Sequence, residues 1–222
     1  MKISELSDVT GVTVATLKYY LREGLLNAGV PTAVNQADYD DSHVRRVRLV
    51  RALLQLGRLS IADAQLVVAA VDDDSIPIHA AFGIAQDAMV PTRDRDRDGP
   101  QYVRALADVA SFIRRHGLRV RPDAEVRAML ADVVVTLDEL DFVAALGSSR
   151  LSALDGMLPT ILAIAEVEVA STPTDTTRTE QMEYTVVGTV VFEVAFAALR
   201  RMALEHASAL RFGNSRRPRR TD

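Results

Sequence analysis

The chain lacks cysteine altogether, and aromatic residues make up only 5% of its 222 positions. Without cysteine, disulfides, thiolate metal sites, iron–sulfur clusters and thiol redox sensing are excluded. Its four histidines, His43, His79, His116 and His206, are too scattered for a metal-ligand spacing, so no metal and no cofactor is expected. Neither a nucleophile–base pair nor a phosphate-binding loop is recognisable, so the chain does not read as an enzyme. Long apolar runs are scarce as well. The opening Met1-Lys2-Ile3-Ser4-Glu5 reaches polar residues too soon for a secretory leader. The one candidate membrane stretch, Val186 to Leu199, is short and carries Glu193 in its middle, which predicts a buried helix instead. Cytoplasmic residence without a membrane partner is the expectation.

A surplus of positive charge is also missing, since the formal net charge is −4. For a polyanionic partner, however, the distribution of charge matters more than its sum. Lys18, Arg22, Arg45, Arg46, Arg48, Arg51 and Arg58 crowd into one short segment, while many acids lie further on. A composition of 48% hydrophobic and 25% charged residues suits a globular chain with a core in one or two domains.

The local patterns are mainly helical. Ser4 is a candidate cap for a first short helix, with Leu6 and Val9 facing inward and Gly11 ending it. Thr13 caps a second helix, and the short glycine-containing gap between the two has helix-turn-helix spacing. Residues 25–40 lose helical periodicity and read as a small hairpin. Ser42 is the candidate cap of a third helix carrying Val44, Val47, Val50 and Leu54, and Ser60-Ile61-Ala62-Asp63 opens a fourth. Asp72-Asp73-Asp74-Ser75 and Pro77 break the chain, so units 1–73 and 74–222 are expected.

Beyond that break the pattern predicts an all-helical domain. Helices are expected over Ile78–Met89, from Pro100 with Val103, Leu106, Ala110 and Ile113 inward, and from Pro122. In the last of these, Val126, Leu130, Val133, Leu137, Leu140 and Ala144 form a packing seam. Arg93 to Asp98 reads as a solvated linker, Gly156 and Pro159 as a kink or a helix start, and Thr179–Phe212 as a final long helix. The Arg-rich tail, 214–222, is expected to be mobile.

On a helical wheel Val14, Leu17 and Leu21 share one face of the second helix. Ala15, Thr16, Tyr19 and Arg22 lie opposite, with Lys18 and Tyr20 on the flanks. Hydroxyls bond phosphates or base edges, arginine grips guanine or phosphate, and a small alanine permits close approach to a DNA groove. Arg45, Arg48 and Arg51 add a second basic stripe. An ordinary amphipathic helix with solvated charges is the competing reading of the segment taken alone.

Together, Ile3-Ser4-Glu5-Leu6, Thr10-Gly11-Val12-Thr13, Thr16-Leu17-Lys18-Tyr19-Tyr20, Gly24-Leu25-Leu26, Tyr39, Val44-Arg45-Arg46-Val47 and Gly57-Arg58-Leu59-Ser60-Ile61 resemble the winged-helix domain of MerR-family transcriptional regulators. The resemblance implies a winged helix-turn-helix with a β-hairpin wing. It also implies a homodimer on a pseudo-palindromic promoter in double-stranded DNA, acting with RNA polymerase. Thr13, Ala15, Thr16, Lys18, Tyr19, Tyr20, Arg22, Asn35, Gln36, Tyr39, Arg45 and Arg48 are the candidate DNA-binding residues. The chain departs from the family twice. Asn35-Gln36-Ala37-Asp38 stands where a wing arginine is usual, and the break after residue 72 stands where a long dimerisation helix is usual. Dimerisation is therefore expected through 179–212. Glu166, Tyr184 and Glu193 are the candidate residues for a small-molecule effector, since carboxylates beside aromatics would suit a cationic lipophilic ligand. The favoured competing reading is that these glutamates are partly exposed or bond other helices. The alternative is an architectural DNA module without effector control.

Overall fold

The computed structural model describes residues 1–34, 36–90, 97–140 and 151–213. Helix α1 (Ile3–Thr10) is followed by α2 (Val14–Arg22) and by the hairpin β1 (Val30–Ala33) and β2 (Gln36–Asp38). Next come α3 (Asp41–Arg51), α4 (Ile61–Asp72), α5 (Ile78–Met89), α6 (Pro100–Arg115) and α7 (Glu125–Glu139). The short α8 (Ser152–Asp155), then α9 (Leu158–Ala170) and the long α10 (Arg178–Phe212), complete the order. The fold class is thus the expected one: helical, with a two-stranded wing.

Local chemistry explains the boundaries. The Lys2 N–H donates to Glu5 Oε2 at 2.6 Å, so α1 starts before Ser4, which lies in its first turn and does not cap it. Gly11 ends α1 at φ 66°, a left-handed conformation that glycine adopts without Cβ strain. Leu6 and Thr10, one turn apart, are the buried pair, and Val9, expected inward, is rotated out to solvent. Thr13 Oγ1 accepts the Thr16 N–H at 3.2 Å and caps α2 as expected. Asp40, not Ser42, caps α3, accepting the Ser42 N–H at 3.0 Å and the His43 N–H at 3.4 Å. Hydrogen bonds from Ser42 and then His43 hold the Asp40 carboxyl well below the usual carboxylate range. Ser60 Oγ accepts the Asp63 N–H at 3.1 Å and starts α4.

Two apolar clusters organise the molecule. The first gathers Leu6, Leu17, Tyr20, Leu25, Val47, Leu53 and Val67 from the N-terminal elements, and takes in Ala81 and Ala85 of α5 and Met182, Val186 and Val190 of α10. Helix α3 runs into a π-helical turn, Ala52–Leu56, and ends at Gly57. A Cβ at Gly57 would lie 2.9 Å from the Leu53 carbonyl oxygen and 3.2 Å from Val190 Cγ1, so its absence lets α10 come close. The second cluster joins Tyr102, Ala105, Val109 and Phe112 of α6 to Ala131, Val134 and Val135 of α7 and to Leu151.

That second cluster corrects the expected helix faces. On α6 the core row starts at Tyr102 rather than Val103, because Tyr102 and Phe112 bring the largest apolar surface to one side. On α7 Val126, Val133 and Leu140 of the expected seam are exposed and Leu130 and Leu137 half-buried; Ala144 lies outside the described residues. Asp87 of α5 links the clusters, accepting the Glu125 N–H at 3.0 Å and pairing with Arg121.

Helix α10 divides in two. Met182, Glu183, Val186 and Val190 are buried, whereas every residue from Val191 to Gly213 is exposed except the half-buried Ala197. The stretch expected as a buried helix is therefore buried only as far as Val190. By length and composition alone α10 is apolar enough to cross a membrane, and less than a quarter of its most apolar stretch is buried.

Candidate nucleic-acid interface

Helix α2 turns its apolar side into the first cluster through Leu17 and Tyr20 and leaves the other side free. Ala15, Lys18 and Arg22 are exposed, and Thr16 and Tyr19 half-buried. Thr13 and Thr16 share a hydroxyl contact of 2.9 Å, which orients both groups at the start of the helix. The Arg22 guanidinium lies 5.3 Å from the Tyr19 ring centre, so the ring steadies a side chain otherwise open to solvent. Among the described residues Lys18 has no ion-pair partner, and its ammonium is available to a phosphate.

The wing faces this surface. Lys18 and Leu21 of α2 line a cleft of about 670 Å³ with Pro31, Ala33, Gln36 and Tyr39. The hairpin is fixed by backbone bonds: Tyr39 N–H donates to the Met1 oxygen at 2.8 Å, and the Met1 ammonium donates to the Tyr39 oxygen at 2.7 Å. Lys2 Nζ reaches Asp38 at 3.0 Å, and it holds that carboxyl below its ordinary range chiefly by hydrogen bonding.

The other candidates divide. Tyr20 is 4% exposed, one turn from Leu17, and belongs to the core instead of the groove-facing surface; burial raises its pKa. Tyr39 is buried too, its ring edge-on to His43 at 5.1 Å. Gln36 is exposed on β2, and Asn35 lies outside the described residues. Arg45 is held by α10, at 3.1 Å from Glu180 and 3.4 Å from Glu183, while Arg48 is exposed with no ion pair among the described residues. The wheel separated the two faces of α2 correctly in the main, but a residue on the flank could not be assigned without knowing what packs there.

Sequence reasoning missed the anchor beneath α3. Arg46 is 3% exposed and grips Asp72 of α4 with both terminal nitrogens, while its Nε lies 3.3 Å from Glu183 Oε1. Arg178 of α10 donates to the carbonyl oxygens of Val71 at 3.2 Å and Ile76 at 2.7 Å. Burial pushes the Glu183 carboxyl up, against the pull of Arg46 and Arg45. The one signal was position: Arg46 adjoins Val47 on a helix whose valines face inward. The expected effector residues do not converge, for Glu166 and Glu193 are exposed and Tyr184 is 48% exposed.

A free polar helix face beside a hairpin wing, both set on a helical core, defines a helix-turn-helix DNA-binding protein. Residues 1–71 match the MerR HTH family of regulatory proteins. The chain belongs to that family, and it is a DNA-binding transcriptional regulator. It is 46% identical over 56 residues to the nodulation protein NolA of Bradyrhizobium elkanii, a match that spans 25% of this chain and 26% of NolA. It is 27% identical over 126 residues to the HTH-type transcriptional regulator HmrR of Sinorhizobium medicae (strain WSM419), covering 57% of this chain and 83% of HmrR. The crystal structure of SCO5550 from Streptomyces coelicolor A3(2), described as a transcriptional regulator, superposes with a TM-score of 0.69 at 32% identity. That likeness covers 98% of this chain and 100% of the other, so it extends through the helical C-terminal half.

Proposed function

We propose that the protein acts as a homodimer on a pseudo-palindromic promoter site in double-stranded DNA. In this reading α2 enters the major groove with Ala15, Thr16, Lys18, Tyr19 and Arg22, and the wing lies on the phosphate backbone through Gln36 and Asn35. The carrying observation is the cleft that sets Lys18 of α2 beside Gln36 of the wing, because donors from both elements can then meet one DNA backbone while the exposed side of α2 faces the groove. Residues 1–73 are the reading unit, and 74–222 serve dimerisation and effector sensing.

The distal part of α10 is the proposed dimer contact. It carries Val194, Phe196, Leu199, Met202, Leu204, Leu210 and Phe212 exposed, over about 33 Å of helix from Val191 to Phe212. Apolar side chains spread round a helix and left uncovered by the described residues call for a second protein surface. Two-fold pairing would set two reading units on symmetric half-sites, with distortion of the intervening DNA adding specificity. Engagement of RNA polymerase, control by a small molecule and cytoplasmic residence complete the proposal. The test is selection of bound sequences from a random DNA pool with full-length protein at a stated near-physiological salt. An inverted repeat is expected, and recovery of no consensus overturns the reading.

A further inference from the structure

The geometry points to a binding site for a planar aromatic anion, such as an aryl carboxylate, in the groove between α3 and α10. The ring lies over Gly188 between Tyr184 and Phe192, and the carboxylate meets Arg48. This deepens the effector reading above and rests on it.

The groove holds about 570 Å³, the size of an ordinary small-molecule site, and its walls are mainly apolar: Tyr184, Val187, Val191 and Phe192 with Pro173. A second cavity of about 130 Å³, toward α5 and α9, shares Tyr184, Gly188 and Phe192 with it. These three residues follow at intervals of four, so they stand one above the other on one face of the helix. Glycine is a poor helix-interior residue and needs a reason to be there. Packing within the chain supplies none, because a Cβ at Gly188 would meet only the Phe192 ring, at 4.0 Å. The missing side chain leaves a slot between two aromatic residues, and a flat ring fits such a slot with a face or edge toward each.

Charge decides the sign of the ligand. Glu180 and Glu183 both pair with Arg45, and Glu183 also meets Arg46. Arg48 lines the same groove and has no ion pair among the described residues. Of the charged groups lining the groove, Arg48 is the one left without an ion pair among the described residues, and an acceptor such as a carboxylate matches it. This reverses the cationic ligand expected from Glu166, Tyr184 and Glu193, because the first and last of these are exposed and line neither cavity. A ligand seated here touches α10 and the arginine of α3 together, and so links the dimer arm to the reading unit.

The test is isothermal titration calorimetry of the full chain with 2-naphthoate and with its neutral counterpart, 2-naphthalenemethanol. One naphthoate per protomer is expected, with the alcohol binding about tenfold more weakly for want of the charged hydrogen bond. Arg48→Gln should bring naphthoate down to the alcohol's affinity and leave the alcohol unchanged. Gly188→Leu should abolish binding of both with no fall in the thermal midpoint, since leucine favours helix. Should the larger residue unfold the chain, Gly188→Ala adds a single methyl group and should weaken naphthoate severalfold. Equal binding of the two probes, or binding untouched by Gly188 substitution, overturns the site. So does absence of naphthoate binding accompanied by loss of a dimer in sedimentation of Gly188→Leu, which assigns the slot to a second copy. Naphthoate binding that leaves affinity for the selected DNA unchanged keeps the site and removes effector control.

Discussion

The two ends of α10 are made of similar residues and live in different surroundings. Met182, near its start, is 0% exposed, and Met202, twenty residues on, is 65% exposed. The proximal end is locked to the reading unit by Arg45, Arg46 and Arg178 and by the close approach of Val190 to Gly57. The distal end, also rich in apolar residues, is left exposed by the described residues. A continuous helix thus starts in the core of one unit and finishes exposed among the described residues. Apolar pattern alone therefore does not tell a core helix from an exposed one; the supply of partners does.

The largest expected effect lies at the proximal anchor. Arg46→Met leaves Glu183 buried beside Arg45 as its one remaining partner and releases Asp72, which should lower stability by about 3–5 kcal/mol in urea titration. A loss below about 1 kcal/mol would mean that packing alone holds α10 to the reading unit. The matched pair Met182→Ala and Met202→Ala tests the comparison directly. The first should cost about 2–5 kcal/mol and the second under about 0.5 kcal/mol at protein concentrations low enough to keep the chain monomeric. Equal costs would erase the distinction between the two ends. Leu199→Glu should abolish a dimer seen by sedimentation while leaving the monomer's circular dichroism intact, and a persistent dimer would move the contact elsewhere.

Smaller effects refine the picture. Burial raises the Glu183 pKa, so its contribution to stability is full below the ordinary glutamate value and is lost as pH rises through the raised one. Glu183→Gln should therefore match the wild type in mild acid and gain on it toward neutral pH; the opposite trend would show that the arginines outweigh desolvation. At the DNA surface Lys18→Ala should weaken binding to all sequences alike and reduce the salt slope by about 0.9. An unchanged slope would remove Lys18 from the phosphate contacts.

Much of the reading unit was legible because its signals are local. Thr13 and Ser60 are caps that act within three residues, and Gly11 needs only its own backbone conformation, so each could be read from neighbours in the chain. The outward side of α2 was legible for the same reason, since its inward side is apolar at helical spacing. Tyr20 and Tyr39 were not. Both are amphipathic side chains, and whether the ring is covered depends on elements far away in sequence. The core rows of α6 and α7 were misplaced by about one position because both helices carry apolar residues over a wide arc.

What the sequence by itself determined is the class of the N-terminal unit, the starts of α2 and α4, the stop of α1, the wing and the polar face of α2. These follow from dihedral preferences, caps and periodicity, which act over a few residues. Only the tertiary structure decided that Arg46 and Glu183 meet across 137 positions of chain and that α10 is buried at one end only. It alone placed the slot over Gly188 between α3 and the helical half. Such contacts depend on where whole helices come to rest, and no local rule carries that information.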